Sequence, residues 1–256
     1  MVEEWRFLDT GLHDAFYNMA LDEAIMTARS KNLIPNTIRF FRWRPSAVSI
    51  GYFQSMKDEV DIAACNERGI DYVRRITGGG TVYHDEEGEL TYSITVAENH
   101  RLASKDFQKT YQVLCSGLVQ GLNLLGIPAK FKQVNDIIVD GEKISGNAQT
   151  RKRGVILQHG TILRRVNPPL MFTLLKVPSE KIRGKLIKTV NERVTSIERY
   201  LGREVSFEEL KKALRNGFEK AFKIRLIEGQ LIDFENSLTS ELIVKKYSSK
   251  SWNFRR

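Results

Sequence analysis

Long apolar runs are missing from this chain of 256 residues. No stretch approaches the roughly 18–20 consecutive apolar residues that a membrane helix needs, so no membrane span is expected. The opening segment MVEEWRFLDTG is acidic and has no apolar core, so it does not read as a secretory signal. A cytoplasmic location is the expectation. Cysteine is scarce: Cys65 and Cys115 stand alone, outside any CxxC pair and away from histidine at ligand spacing. That excludes a disulfide scaffold and a zinc finger and predicts two reduced thiols. The P-loop pattern, the dinucleotide-binding glycine spacing, GxSxG and HExxH are all absent. So are internal repeats, low-complexity segments and Pro/Ser linkers, which leaves one domain over residues 1–256 as the reading.

The charge is one-sided. A formal net charge of +9 favours acidic partners. The cations are dispersed, densest at Arg151–Arg153, Arg164–Arg165 and Asn253–Arg256, and no aromatic-plus-basic motif accompanies them. Nucleic acid is therefore not the expected partner.

Pattern alternates between helix and strand. Asp14–Ser30 has helical spacing. Thr37–Trp43 and Ala47–Phe53 are strand-like, Lys57–Arg68 reads as a helix closed by Gly69, and Tyr72–Ile76, Thr81–His84 and Leu90–Val96 read as strands. Ser104–Leu125 is the longest helical run. Ala129–Gln133, Asn135–Val139, Lys143–Gln149 and Val155–Arg164 follow as strands, with Asp140-Gly141 as a two-residue hairpin turn. Helices dominate from Pro168, notably Ser206–Phe222 with Ser206 and Glu209 placed for a capping box, and Leu238–Tyr247 comes last. The fold class expected is α+β, a mixed β-sheet flanked by helices, with a helical C-terminal appendage.

Three segments carry candidate chemistry. In Arg74-Arg75-Ile76-Thr77-Gly78-Gly79-Gly80-Thr81-Val82-Tyr83-His84-Asp85, three glycines let main chain approach a ligand, and arginine offers a fork for an anion. In Asn135-Asp136 through Gln149, strict alternation after the turn places Lys143, Ser145 and Asn147 on one face and Ile144, Gly146 and Ala148 on the other. Lys143 is either a solvated lysine or one that reaches into a cleft, and Asp136 is a candidate oxygen ligand for Mg²⁺. In Gln158-His159-Gly160-Thr161, a structural and a functional histidine are equally open. Tyr72, Tyr83 and Tyr92 are expected in the core or lining a cleft.

These motifs resemble those of the lipoate–protein ligase family. Arg74–Asp85 is similar to its RRxxGGGxVxHD signature, and Asn18–Ala24 to its N-x-A-x-D-E-A helix. Asn135-Asp136-Ile137 and Gly141–Gly146 are similar to its N-D-(I/L) and G-x-K-(I/V)-x-G elements. The resemblance runs from about Trp5 to the end of the chain. It implies the biotin/lipoate protein ligase-like catalytic fold. It also implies activation of lipoate or octanoate by ATP with Mg²⁺, and transfer of the acyl-adenylate to a lysine of a lipoyl carrier domain, of the 2-oxoacid dehydrogenase E2 or glycine-cleavage H-protein type. Lys143 then matches the essential lysine. Arg75, Gly78, Gly79, Gly80, Thr81, Val82, Tyr83 and His84 match the nucleotide-contact stretch. Gly146 and Ala148 would leave room for the acyl chain, and Asp136 would help hold the metal. Many family members carry a C-terminal accessory domain; its absence here implies a separate accessory polypeptide as partner.

A second resemblance is to the cysteine-dependent octanoyltransferases of the same superfamily, at Trp5–Asp9, Gln149–Arg151 and Gly154–Gly160. Those enzymes place a nucleophilic cysteine shortly before the lysine hairpin, and Phe131–Asn135 contains none. On that chemical ground the ATP-dependent ligase is the expectation, with ATP-independent transfer as the alternative. A non-enzymatic acyl- or nucleotide-binding module would need the loop and Lys143 for binding alone.

Overall fold

The computed structural model describes residues 2–256. The chain opens on strand β1 (Glu3–His13), then helix α1 (Ala15–Ser30), β2 (Thr37–Trp43) and β3 (Ala47–Ile50). Two short helices, α2 (Met56–Glu59) and α3 (Ile62–Glu67), lead to β4 (Asp71–Arg74), β5 (Val82–His84) and β6 (Glu89–Ala97). Helix α4 (Phe107–Leu124) precedes β7 (Lys130–Lys132), β8 (Asp136–Val139), β9 (Glu142–Lys152) and β10 (Val155–Leu163). The last third holds α5 (Pro168–Leu174), α6 (Glu180–Arg193), α7 (Ile197–Leu201), α8 (Phe207–Phe222), β11 (Ile224–Glu228), α9 (Asp233–Leu242), a π-helical turn over Ile243–Tyr247, and α10 (Lys250–Asn253).

Among the described residues, eight strands form one sheet in the order β11-β1-β2-β6-β10-β9-β8-β7, and β4-β3-β5 form a small second sheet. β1 runs parallel to both β2 and β11, while β2 through β7 pair antiparallel, so the sheet is mixed as expected. Helices α4 and α8 cover one face: Leu114, Leu118, Leu214 and Phe218 pack with Phe40, Tyr92 and Ile94. On the other face, Ala15, Met19 and Ala20 of α1 meet Phe41, Trp43 and Val73. Burying each such large side chain stabilises the fold by about 1.5–3 kcal/mol.

Local signals explain most boundaries. Asp14 caps α1 by accepting from the Tyr17 N–H at 2.7 Å. Asp140 and Gly141 take φ of 48° and 90°, the left-handed pair that a type I′ hairpin needs. Ser206 caps α8 through the Glu209 N–H, but the Glu209 carboxylate turns to Arg203 at 2.6 Å, so the capping box is half made. The expected single helix Lys57–Arg68 is split because Val60 leaves it to bridge Leu175. β1 and β11 escape the sequence reading. Their pairing also corrects the idea of a C-terminal appendage. α8 and β11 belong to the core, and Arg6 of β1 forms a buried bidentate pair with Glu235 of α9, at 2.8 and 2.5 Å.

Candidate functional site

A cavity of about 320 Å³ lies between the two sheets. β9 and β10 form its floor, the glycine loop and β5 one wall, and α5 and α6 the other. Met19, Trp43, Leu163, Met171, Val190 and Val194 make much of it apolar.

Lys143 enters this cavity because the strand is not regular. Opposite β8 the register shifts: Ile137 faces Ser145 but Ile138 faces Lys143, so Ile144 is a bulge. A bulge re-aims the side chains beside it. Lys143 therefore joins Gly146 and Ala148 on the cavity wall, while Ser145 turns inward and is fully buried. This corrects the strict alternation expected from sequence. A Cβ at Gly146 would lie 2.8 Å from both Cε and Nζ of Lys143, so its lack of a side chain leaves room for the lysine in this position. The main chain of Lys143 is pinned from α6's end, where its carbonyl accepts from the Thr195 N–H at 2.8 Å.

The Lys143 ammonium pairs with Asp136 at 2.7 Å, with the two side chains 39% and 31% exposed. A pair this exposed is worth about 0–1 kcal/mol, so a bound carbonyl oxygen can draw the lysine away. The same pair argues against Mg²⁺ at Asp136. Its carboxylate already carries a cation, and among the described residues no group of three His, Cys, Asp or Glu could hold a metal.

Arg75 also departs from its expected role. It is buried, 5% exposed, and all five of its N–H donors are taken. Nε donates to Thr77 Oγ1 at 3.1 Å, Nη1 to the Ser49 carbonyl and hydroxyl at 3.2 and 3.1 Å, and Nη2 to the carbonyls of Gly78 and Gly80 at 2.8 and 2.7 Å. It has no carboxylate partner among the described residues, and burial lowers its pKa to about 10. Arg75 thus shapes the glycine loop instead of holding a phosphate. Gly79, at φ 94°, passes so close that a Cβ would lie 2.9 Å from Nη2. Arg74 is likewise turned inward, onto carbonyls of Gly51, Tyr52, Gln54, Trp252 and Asn253.

Two relays flank Arg75. In one, Ser49 Oγ lies 2.8 Å from His84 Nε2, and His84 Nδ1 lies 2.6 Å from Glu89 Oε1. In the other, Thr77 Oγ1 lies 2.8 Å from His159 Nε2, and His159 Nδ1 lies 3.0 Å from Asp22 Oδ2. Each Nδ1 lies against a carboxylate oxygen, an acceptor, so in the neutral ring Nδ1 carries the hydrogen and Nε2 accepts from the hydroxyl, whose oxygen also accepts from Arg75. Burial lowers the His159 pKa, against the pull of Asp22. Asp22 also holds Arg39 at 2.9 Å and the Ser93 hydroxyl at 2.8 Å. Asn18 completes this buried network through the Arg39 guanidinium at 2.6 Å, and Glu23 fixes the C-terminal turn through Lys246 and Tyr247, each at 2.6 Å. The Asn18–Ala24 motif is thereby explained as structure.

Of the expected site residues, Lys143, Arg75, Gly79, Gly80, Thr81, Val82, Tyr83, His84, Gly146 and Ala148 line the cavity together. Gly78 has open space around its Cα, and Asp136 touches the site through Lys143. Sequence reasoning missed Ser49 and Glu89, which also line it. Neither cysteine lines it among the described residues; both are buried, and burial raises Cys115 to about 12 and Cys65 to about 11.

Comparisons with known proteins follow this geometry. Residues 14–219 match the family described as lipoyl protein ligase A/B catalytic domain. The octanoyltransferase LipM of Geobacillus kaustophilus is 38% identical over 99% of both chains, and that of Kyrpidia tusciae 39% identical over 100% of both. In structure, a bi-partite lipoate protein ligase from Thermoplasma acidophilum superposes with a TM-score of 0.89 at 32% identity, covering 98% of this chain and 96% of that one. The fold expectation holds. The expectation of an ATP-dependent ligase does not, because these end-to-end curated relatives are transferases. With it fall the expected ATP and Mg²⁺, which the spent donors of Arg75 and the Lys143–Asp136 pair do not favour. The physical error is clear. A missing cysteine removes the acyl-enzyme route, but it leaves direct transfer from an activated donor untouched. No helix among the described residues is long and apolar enough to cross a membrane. The chain belongs to the lipoyl protein ligase A/B catalytic-domain family.

Proposed function

We propose that this chain transfers an octanoyl group from a carrier-protein thioester to a lysine of a lipoyl carrier domain, without ATP. The observation that carries this reading is the cavity itself. Its walls are largely apolar, suited to a medium-length acyl chain, and Lys143 stands among them on a weak ion pair. The names of the full-length relatives support the same reaction.

A thioester is already activated, so no adenylate is required. Its carbonyl oxygen would meet Lys143 Nζ, which leaves Asp136 and stabilises negative charge as the acceptor amine attacks. The C–S bond then breaks and the carrier thiol departs. The glycine loop, from Gly79 to His84, forms the wall that positions the acyl carbonyl. Since no adenylation step exists in this scheme, the single domain suffices and the separate accessory chain is unnecessary. E2-type lipoyl domains or glycine-cleavage H protein are the acceptors implied by the family. Lipoyl groups are a secondary substrate on the same apolar walls.

The test compares donors. Purified protein is given octanoyl-carrier thioester and a lipoyl domain without nucleotide, and in parallel octanoate with ATP and Mg²⁺. Release of the carrier thiol together with octanoyl amide on the acceptor is expected from the first mixture. Product from the second mixture alone would contradict the reading.

A further inference from the structure

We propose that Ser49, His84 and Glu89 form a proton relay that deprotonates the acceptor lysine, an inference that rests on the transfer reading above. An incoming lysine arrives as an ammonium, gives one proton to solvent, and as the free amine must lose a second proton when the amide bond forms. Among the described residues the cavity holds no thiolate, and Lys143 is itself a cation, so another group must take that proton. Ser49, only 1% exposed, lines the cavity, with His84 Nε2 2.8 Å from its hydroxyl and Glu89 2.6 Å from the far side of the ring.

Three observations set this group apart from an ordinary buried hydrogen-bond chain. Glu89 accepts from His84 Nδ1, so Nε2 of the neutral ring accepts from the Ser49 hydroxyl, whose oxygen in turn accepts from Arg75 at 3.1 Å. Glu89 is buried, and among the described residues it has no arginine or lysine partner. Its Oε1 accepts from His84 and Thr91, and its Oε2 has no hydrogen-bond partner. Among the described residues His84 is the one group placed to pair with it. The ring is clamped, too: Trp43 stacks on His84 with centroids 3.9 Å apart, and Trp43 Nε1 is held by Thr91. The charged and titratable groups facing His84 are Glu89 from β6, Arg75 from the segment after β4, and His159 from β10.

The proton count closes. As the acceptor nitrogen bonds to the acyl carbon, its proton passes to Ser49 Oγ while the Ser49 proton passes to His84 Nε2. The C–S electrons leave with the carrier sulfur. The His84 proton returns through Ser49 to that thiolate, and the enzyme is regenerated with one amide and one thiol formed. The ammonium proton lost before attack goes to solvent. Ser49 is the catalytic residue, because it touches the substrate amine. His84 and Glu89 act through it.

The experiment is a pH profile of turnover with the thioester donor. General-base assistance is worth about 10²–10⁴-fold. Ser49→Ala should therefore lower kcat by about a hundredfold or more with the donor KM unchanged. Its residual rate should climb about tenfold per pH unit, as free amine alone reacts. Ser49→Thr should restore the rate. Glu89→Gln preserves shape but removes the charge that stabilises the imidazolium, so the acidic limb should move to lower pH as kcat falls. Melting temperatures verify folding of each variant. Wild-type kcat and profile in both Ser49→Ala and Glu89→Gln would overturn the relay while leaving transfer intact. An octanoyl ester on Ser49, seen by mass, would overturn it in favour of a nucleophilic serine. Failure of the wild-type protein to use the thioester would instead bring down the transfer reading and the relay with it.

Discussion

The two relays beside Arg75 use the same parts in the same order, yet their hydroxyl ends meet different surroundings. Ser49, although only 1% exposed, lines the cavity together with His84 and Glu89, whereas of the other relay only the His159 ring lines it and Thr77 and Asp22 lie behind. Their carboxylates differ as well. Glu89 serves His84 and a threonine, while Asp22 is already neutralised by Arg39. A carboxylate with a spare charge can support an imidazolium; one already paired with a guanidinium is better placed to hold a neutral ring still. The same hydrogen-bonded triplet can thus serve turnover on one side of an arginine and rigidity on the other.

That contrast can be broken or sharpened. The largest effect should come from the open side. Lys143→Ala should cut octanoyl transfer by about 10²–10³-fold or more, as loss of an oxyanion partner does, with stability changed by no more than about 0.5 kcal/mol at this half-exposed position. Transfer rate and melting temperature measured on the same preparation check both halves. In the other relay, Thr77→Val keeps the shape but strips the hydroxyl from Arg75 Nε and His159 Nε2. It should destabilise the fold by about 1–3 kcal/mol, read in denaturant melts, while turnover per folded molecule changes little. A large kcat loss without destabilisation would erase the distinction between the relays.

Acid should act next, on the Thr77–His159–Asp22 relay. Burial holds the His159 pKa below its ordinary 6.5. The unfolded chain therefore binds a proton near that value which the folded state takes up only at lower pH. The stability involved is fully present above about 6.5 and is lost as pH falls toward the folded value. His159→Gln should flatten this part of the stability–pH curve. The smallest effect belongs to the thiols. With burial raising Cys115 to about 12 and Cys65 to about 11, native alkylation at neutral pH should be slow. Cys65→Ala with Cys115→Ala should leave transfer unchanged.

Sequence pattern carried some of this a long way. Thr37–Trp43 is a strand as its β-branched and aromatic residues predict, and Asp140-Gly141 turns as that dipeptide should. Lys143, the glycine loop and His84 come together in one cavity. What stayed hidden is non-local. Ser49 sits in a short apolar strand, and its histidine lies 35 residues on. β1 finds its outer neighbour, β11, more than 200 residues later, where no local periodicity points. The bulge at Ile144 reverses a two-residue alternation that the sequence displays cleanly. Arg75 has every mark of an anion fork until its five donors are followed to hydroxyls and carbonyls. The choice between ligase and transferase rested chiefly on one absent cysteine, with the third glycine and Asn135-Asp136 beside it, and a missing cysteine tests one mechanism rather than the reaction.

The most direct test of the account is the mass of a lipoyl domain after incubation with octanoyl-carrier thioester and this protein, in nucleotide-free buffer containing a chelator, alongside Lys143→Ala. The account predicts one octanoyl group on the acceptor lysine with the wild-type protein and essentially none with the variant. An unmodified acceptor that becomes octanoylated only when ATP and Mg²⁺ are supplied would contradict it.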